Sequence, residues 1–193
     1  MRIGRLAGMA WLGLPAAGVV MAQEQTISIA LVDSQVAPFA MLAQAKTTAE
    51  RIYSEIGIKV KWSSDPKADL AMQFDLGVAP EIHPGAMGYA MPYAKGGTCI
   101  HVLVDRVMRT ESHRLAGLLL GHVMAHELGH VLEGVSRHSE SGVMKAHWED
   151  RDFDRMLLGP LSFSAEDVEW IRAGAAKRAR RGVGGIEGVP VAR

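Results

Sequence analysis

Apolar and polar positions alternate from the first stretch that carries a clear period. Over residues 26–32, Ile27, Ile29 and Leu31 fall on one side, which predicts a half-buried strand. Over 38–56 the period changes. Leu42, Ala45, Ala49, Ile52 and Ile56 recur three to four apart, and Gly57 follows as a stop, which predicts a helix. Ile58, Val60 and Trp62 then alternate with Lys59, Lys61 and Ser63, and Leu70, Met72 and Phe74 alternate after the Asp65-Pro66 turn. Pro and Gly interrupt residues 77–97, leaving one short candidate strand at 87–93. Residues 99–107 read as the last strand, with Ile100, Val102 and Val104 on one face. A long helix is expected from about residue 112 to 133, closed by Gly134. An irregular segment to about residue 161 leads into a final helix from Ala165, which Ser164 can cap with Asp167 three residues on. The expected order is β-α-β-β-β-β-α-loop-α.

Composition narrows the class. The 193 residues are 48% hydrophobic and 22% charged, close to a globular domain and far from a disordered, coiled-coil or collagen-like chain. The length suits one domain with a sizeable core. The formal charge is zero, but it is unevenly placed: residues 23–171 carry 13 basic and 20 acidic side chains, and residues 172–193 carry six and one. No basic surplus marks the domain, so no nucleic-acid partner is expected. The tail 172–193 reads as the basic, Gly-rich end of the last helix running into a disordered terminus.

Residues 1–22 read as a signal peptide. Arg2 and Arg5 precede an apolar, small-residue stretch that ends at Val20-Met21-Ala22 before the polar Gln23. The mature domain is then 23–171, exported to a periplasm or secreted, with no stable membrane anchor left once the leader is removed. The single cysteine, Cys99, allows no disulfide within one chain and suits a small core position.

Within the long helix lies His126-Glu127-Leu128-Gly129-His130. Residues four apart share a helix face, so both imidazoles can reach one Zn²⁺ at about 2.0–2.1 Å. Glu127 lies roughly 100° further round, beside the metal, where a carboxylate can act as general base toward an activated water. His122 is one turn earlier and too far along the axis to join, so a core histidine bonded to backbone is expected there.

These residues, with Gly134, His138 and Met144 in Ser141-Gly142-Val143-Met144, resemble the metzincin-type zinc metallopeptidases. That resemblance implies an α+β, zincin-like fold. A mixed twisted sheet packs on two helices, the active-site helix follows the last strand, and a small C-terminal subdomain ends in a helix. It implies one Zn²⁺ held by His126, His130 and His138, with Glu127 as general base and Met144 in a turn beneath the metal. The loop departs from the family pattern, in which the glycine and third histidine come three and six residues after the second histidine. Here Gly134 is four after His130 and His138 is eight after. Glu140, or in a gluzincin-like arrangement Glu166 or Glu169, are the alternative third ligands.

The same resemblance makes Gly88, Tyr89 and Ala90 part of an edge strand lining a substrate cleft; a plain sheet edge, blunted against pairing by Pro92, is the equal alternative. His147 and Trp148 would stand on the opposite wall; His147 reads first as an exposed loop histidine, with assistance in place of the oxyanion-stabilising tyrosine of some members as the alternative. The partner implied is a peptide or protein substrate, met by a monomer. A non-catalytic zinc-binding protein and a hydrolase of non-peptide amides are the competing functions. Asp150, Asp152 and Asp154 begin like a calcium loop, but Arg155 and Leu161 stand where a glycine and a glutamate are needed, so a solvated acidic face is expected instead.

Overall fold

A computed structural model of the chain describes residues 25–77, 85–91, 99–109 and 113–183. The expected leader at 1–22, the far end of the fourth strand at Pro92 and Tyr93, and residues 184–193 of the tail lie outside these.

Five strands form one sheet: β1 (Gln25–Val32), β2 (Ile58–Ser63), β3 (Leu70–Asp75), β4 (Gly88–Met91) and β5 (Cys99–Leu103). Their spatial order is β2-β1-β3-β5-β4. All neighbours pair in parallel except β4, which runs antiparallel to β5 at the edge, with Gly88 opposite Val102 and Ala90 opposite Ile100. Alternation does what the sequence predicts: Ile27, Ile29, Ile58, Val60, Leu70, Met72, Phe74, Ile100 and Val102 enter one core. Between them Lys59 and Lys61 are exposed, and Ala71, Gln73 and Asp75 are half-buried. Cys99, expected in the core, points the other way from Ile100 and is half-buried, beside His101 in register.

Helices α1 (Phe39–Ser54) and α3 (His113–Glu133) pack against that core. Residues 115–133 of α3 are long and apolar enough to cross a membrane, yet 94% of that span is buried inside the fold. A helix apolar on all sides needs such surroundings, and here α1, the sheet and the C-terminal elements supply them. The α1–α3 contact is close because Gly121 leaves no Cβ against the Ala45 carbonyl oxygen, 2.7 Å from where one would sit. Tyr53, fully buried on α1, donates its hydroxyl hydrogen bond to the Ala125 carbonyl at 2.9 Å, fixing α1 to α3 one residue before His126.

Two helices replace expected irregular or extended chain. The last strand stops at Leu103, and Val104–Met108 forms the short helix α2, which buries Val104 and Val107 one turn apart. Asp105 and Arg109 pair across its outer face at 3.0 Å. The segment expected to be irregular contains α4 (Asp150–Leu158), started by a reciprocal cap between Glu149 and Asp152 and anchored by buried Met156. The acidic run lies on this helix, where Asp150 and Asp154 form the solvated acidic face expected and Asp152, half-buried, completes the cap. The final helix α5 (Ala165–Val183) has the expected Ser164–Asp167 cap, with bonds of 2.9 and 3.2 Å. It runs on through the basic segment, where Arg172 bonds the Ile56 carbonyl and Arg178 the Val131 carbonyl.

Candidate metal centre

Helix α3 delivers His126, Glu127 and His130 to the floor of a cleft beside the edge strand, all three side chains buried. The helix ends where the sequence indicates: the Gly134 N–H bonds the His130 carbonyl at 2.9 Å, with Gly134 at φ 71°. From there the chain turns back and brings His138 over the helix. The His126, His130 and His138 rings have one nitrogen each within 4.8 Å of the others. The Nε2 atoms of His126 and His130 lie 3.0 Å apart. Two nitrogens about 2.0–2.1 Å from one zinc at a tetrahedral angle stand about 3.3 Å apart, so the spacing suits a shared ion. The alternative ligands Glu140, Glu166 and Glu169 are not brought into this cluster.

The donor chemistry also fits Zn²⁺. His126 donates from Nδ1 to the Val143 carbonyl at 2.8 Å, which fixes its tautomer and leaves Nε2 free to bind. Burial brings the His126 pKa down to about 4, against the raising effect of that bond. Burial, then the neighbouring His126 and His138, brings His130 to about 3, and burial with His147 nearby lowers His138. Three imidazoles held neutral face a metal with little competition from protons.

His138–Lys145 closes on itself beneath the site. The Ser139 N–H bonds the Met144 carbonyl at 2.8 Å, and the Val143 N–H bonds the Ser162 carbonyl at 3.1 Å. Gly142 turns at φ 78° with the Ser162 carbonyl oxygen packed where a Cβ would be. Met144 is fully buried, and its sulfur lies 2.5 Å from the Cβ position of Gly129. The glycine inside the histidine motif thus makes room for the methionine below it.

Glu127 is 6% exposed, and burial alone raises its pKa to about 8. Edge strand β4 passes directly beside it: a Cβ on Gly88 would stand 2.8 Å from Glu127 Cγ. Gly88, Tyr89 and Ala90 line the cleft of about 670 Å³, and His147 and Trp148 line its other wall. Trp148 also has a structural part. Its indole N–H bonds the Gly142 carbonyl at 3.1 Å, and its ring meets His126 and His122 edge-on at 5.7 and 6.0 Å. Tyr89 stacks on His101 at 4.5 Å, and His101 bonds Asp75 at 2.7 Å. Lys145, at the cleft wall, is paired with Asp152 and Glu149.

His122 is the core histidine expected. It donates to the Leu118 carbonyl at 2.7 Å and accepts the Leu161 N–H at 3.0 Å, while burial holds its pKa to about 4. Sequence reasoning did not identify Arg137 and Ser139, the two chain neighbours of His138, as site residues. Both bond the buried carboxylate of Asp167, and only the cap role of Asp167 was legible in advance.

No protein-family model and no curated protein matches the sequence. Among solved structures the chain is similar to the crystal structure of archaemetzincin from Methanopyrus kandleri. The two are 16% identical, with a TM-score of 0.54 over 84% of this chain and 99% of that one. The architecture is the expected zincin-like fold: a mixed, mostly parallel five-stranded sheet with helices packed on it.

Proposed function

We propose that this chain is a zinc-dependent endopeptidase that works after export to a periplasm or the exterior. The observation that carries the reading is the convergence of three neutral imidazoles beside a buried carboxylate, at the foot of an open cleft edged by an antiparallel strand. The structural likeness to an archaemetzincin supports it. Signal-like residues 1–22 support export, and the acidic domain that follows suits a monomer acting on peptide or protein substrates.

His126, His130 and His138 would hold one Zn²⁺, which when bound polarises a carbonyl and acidifies water. Val143 orients His126 through its carbonyl, and Met144 packs under the helix. Glu127, with its pKa near 8, keeps a proton that an ordinary carboxylate would release at neutral pH. In its ionised form it can take a proton from water, and the raised proton affinity lets it hold that proton until it passes to the departing amine. The β4 backbone offers an extended peptide a strand to pair with, and Tyr89 and Ala90 face the cleft it would cross. His147, exposed on the facing wall, would be the group that assists charge developing on the substrate.

The test is cleavage of a mixed peptide library by the zinc-loaded protein without residues 1–22, beside Glu127→Ala. Internal cleavage that disappears in Glu127→Ala while zinc is retained supports the reading. Equal cleavage by both proteins overturns the role of Glu127, and no cleavage by the zinc-loaded wild type overturns the activity.

A further inference from the structure

We infer that Asp167 is a positioning residue for the metal centre, gripping both chain neighbours of His138 and so fixing the lengthened loop that delivers the third imidazole. The inference rests on the reading of His138 as a zinc ligand. His138 is the exposed member of the three histidines, eight residues beyond His130, so its place depends on what holds the chain on either side.

Both sides lead to one carboxylate oxygen. Arg137 Nη2 donates to Asp167 Oδ1 at 2.7 Å, and Ser139 Oγ donates to the same oxygen at 2.5 Å. Oδ2 accepts the Ser164 N–H at 2.9 Å, and the Asp167 N–H returns a bond to Ser164 Oγ at 3.2 Å. Asp167 has no exposed surface, so its charge is carried by these partners rather than by water. Arg137 reaches back as well: Nε lies 3.3 Å from Glu133, on the last turn of α3 and three residues after His130. The guanidinium thus ties the end of the metal helix to the start of α5.

The anchor is itself fixed. At Gly174 the α5 backbone comes so close to α3 that a Cβ would overlap the Leu132 carbonyl oxygen, and Arg172 bonds the Ile56 carbonyl. A loop gripped immediately before and after a ligand enters binding already ordered, which lowers the entropy lost when metal arrives. The family-like interval of six residues gives way here to eight, and the Arg137–Asp167–Ser139 grip compensates for the added freedom. Asp167 thereby serves both as partner of the α5 cap and as support of the metal loop.

The experiment compares zinc affinity, by competition with a chromogenic chelator, and the visible spectrum of bound Co²⁺. Wild type, Arg137→Gln with Ser139→Ala, Ser164→Ala and His138→Ala are measured side by side. The double variant leaves the three histidines, Asp167 and its cap in place. It is expected to lose about 10–100-fold in zinc affinity and to shift its Co²⁺ spectrum toward that of His138→Ala. Ser164→Ala weakens only the cap and is expected to lower the thermal midpoint while leaving affinity and spectrum as in wild type. A double variant with wild-type affinity and spectrum, beside a weakened His138→Ala, overturns the positioning role and leaves the ligand assignment standing. An unchanged His138→Ala overturns the assignment on which the inference rests. Should the double variant not fold, Ser139→Ala alone decides: a several-fold loss supports the grip, and none overturns it.

Discussion

A methyl group added at Gly88 should disable the site while leaving its metal in place. In Gly88→Ala the new Cβ stands 2.8 Å from Glu127 Cγ, 3.0 Å from Glu127 Oε1 and 2.9 Å from the His101 carbonyl oxygen. Carbon atoms pack best at about 3.5–4.0 Å, so the side chain and the strand must separate by at least roughly 0.7 Å. The strand has little room to yield, because Gly88 pairs with Val102 and the Leu103 N–H bonds the Met87 carbonyl at 2.8 Å. The two Glu127 contacts are therefore relieved by displacing Glu127, while the contact with the His101 carbonyl remains as strain in the strand pair. Overpacking of this kind costs about 1–3 kcal/mol, offset by about 0.4–1 kcal/mol from the less flexible unfolded chain. A base moved by close to 1 Å loses on the order of 100-fold in rate. Zinc content should stay at the wild-type level, since Glu127 is the only site side chain among the nearest atoms the methyl meets. Urea unfolding gives the stability term, and peptide cleavage with metal analysis gives the rest. In a Glu127→Ala background the Cγ and Oε1 contacts are gone, so Gly88→Ala should cost about 1 kcal/mol less there. Cleavage at the wild-type rate by Gly88→Ala, or an equal cost in both backgrounds, would refute the reasoning.

Three further outcomes follow from the same geometry. The raised Glu127 pKa means that the metal-free fold favours the protonated carboxyl, a contribution fully present below about 4.5 and lost as pH rises through about 8. Metal-free Glu127→Gln should therefore gain on wild type across that window, by an amount on the order of 3–5 kcal/mol at its upper end, and a pH-independent difference in urea unfolding would contradict this. Gly174→Ala should cost at least about 2–3 kcal/mol, because Leu132 backbone blocks the methyl. Gly117→Ala, which meets chiefly the movable end of Gln44, should be near neutral or stabilising by up to about 1 kcal/mol, and reversal of that order in thermal melts would sink the packing argument. Adding zinc at about 100 times its dissociation constant should stabilise the folded chain by about 2.7 kcal/mol, and an unchanged melting temperature would speak against a site formed only on folding.

What the sequence made legible was whatever depends on neighbours a few residues away. Alternation at Ile58, Val60, Leu70, Met72 and Phe74 marked strands buried on one face, and the four-residue spacing of His126 and His130 marked a shared helix face. The stop at Gly134 and the cap at Ser164 were equally local. Short helices were hidden for a physical reason. Val102 and Val104 continue a strand's alternation, and only the burial of Val107 beside Val104 favours a turn of helix. In α4 a single buried residue, Met156, supplies too little period to detect. The supports of the site were also hidden, because they join distant residues. Arg137 meets Asp167 thirty positions away, and Trp148 packs on His122 and His126 across the loop. Nothing local marks Gly88 as the residue that lets Glu127 pass.

X-ray absorption at the zinc edge of the purified, metal-loaded protein tests the central claim most directly. One zinc per chain with three imidazole nitrogens at about 2.0–2.1 Å, and one imidazole fewer in His138→Ala, is the expected result. A wild-type spectrum with only two imidazoles, or one that His138→Ala leaves unchanged, would contradict the site described.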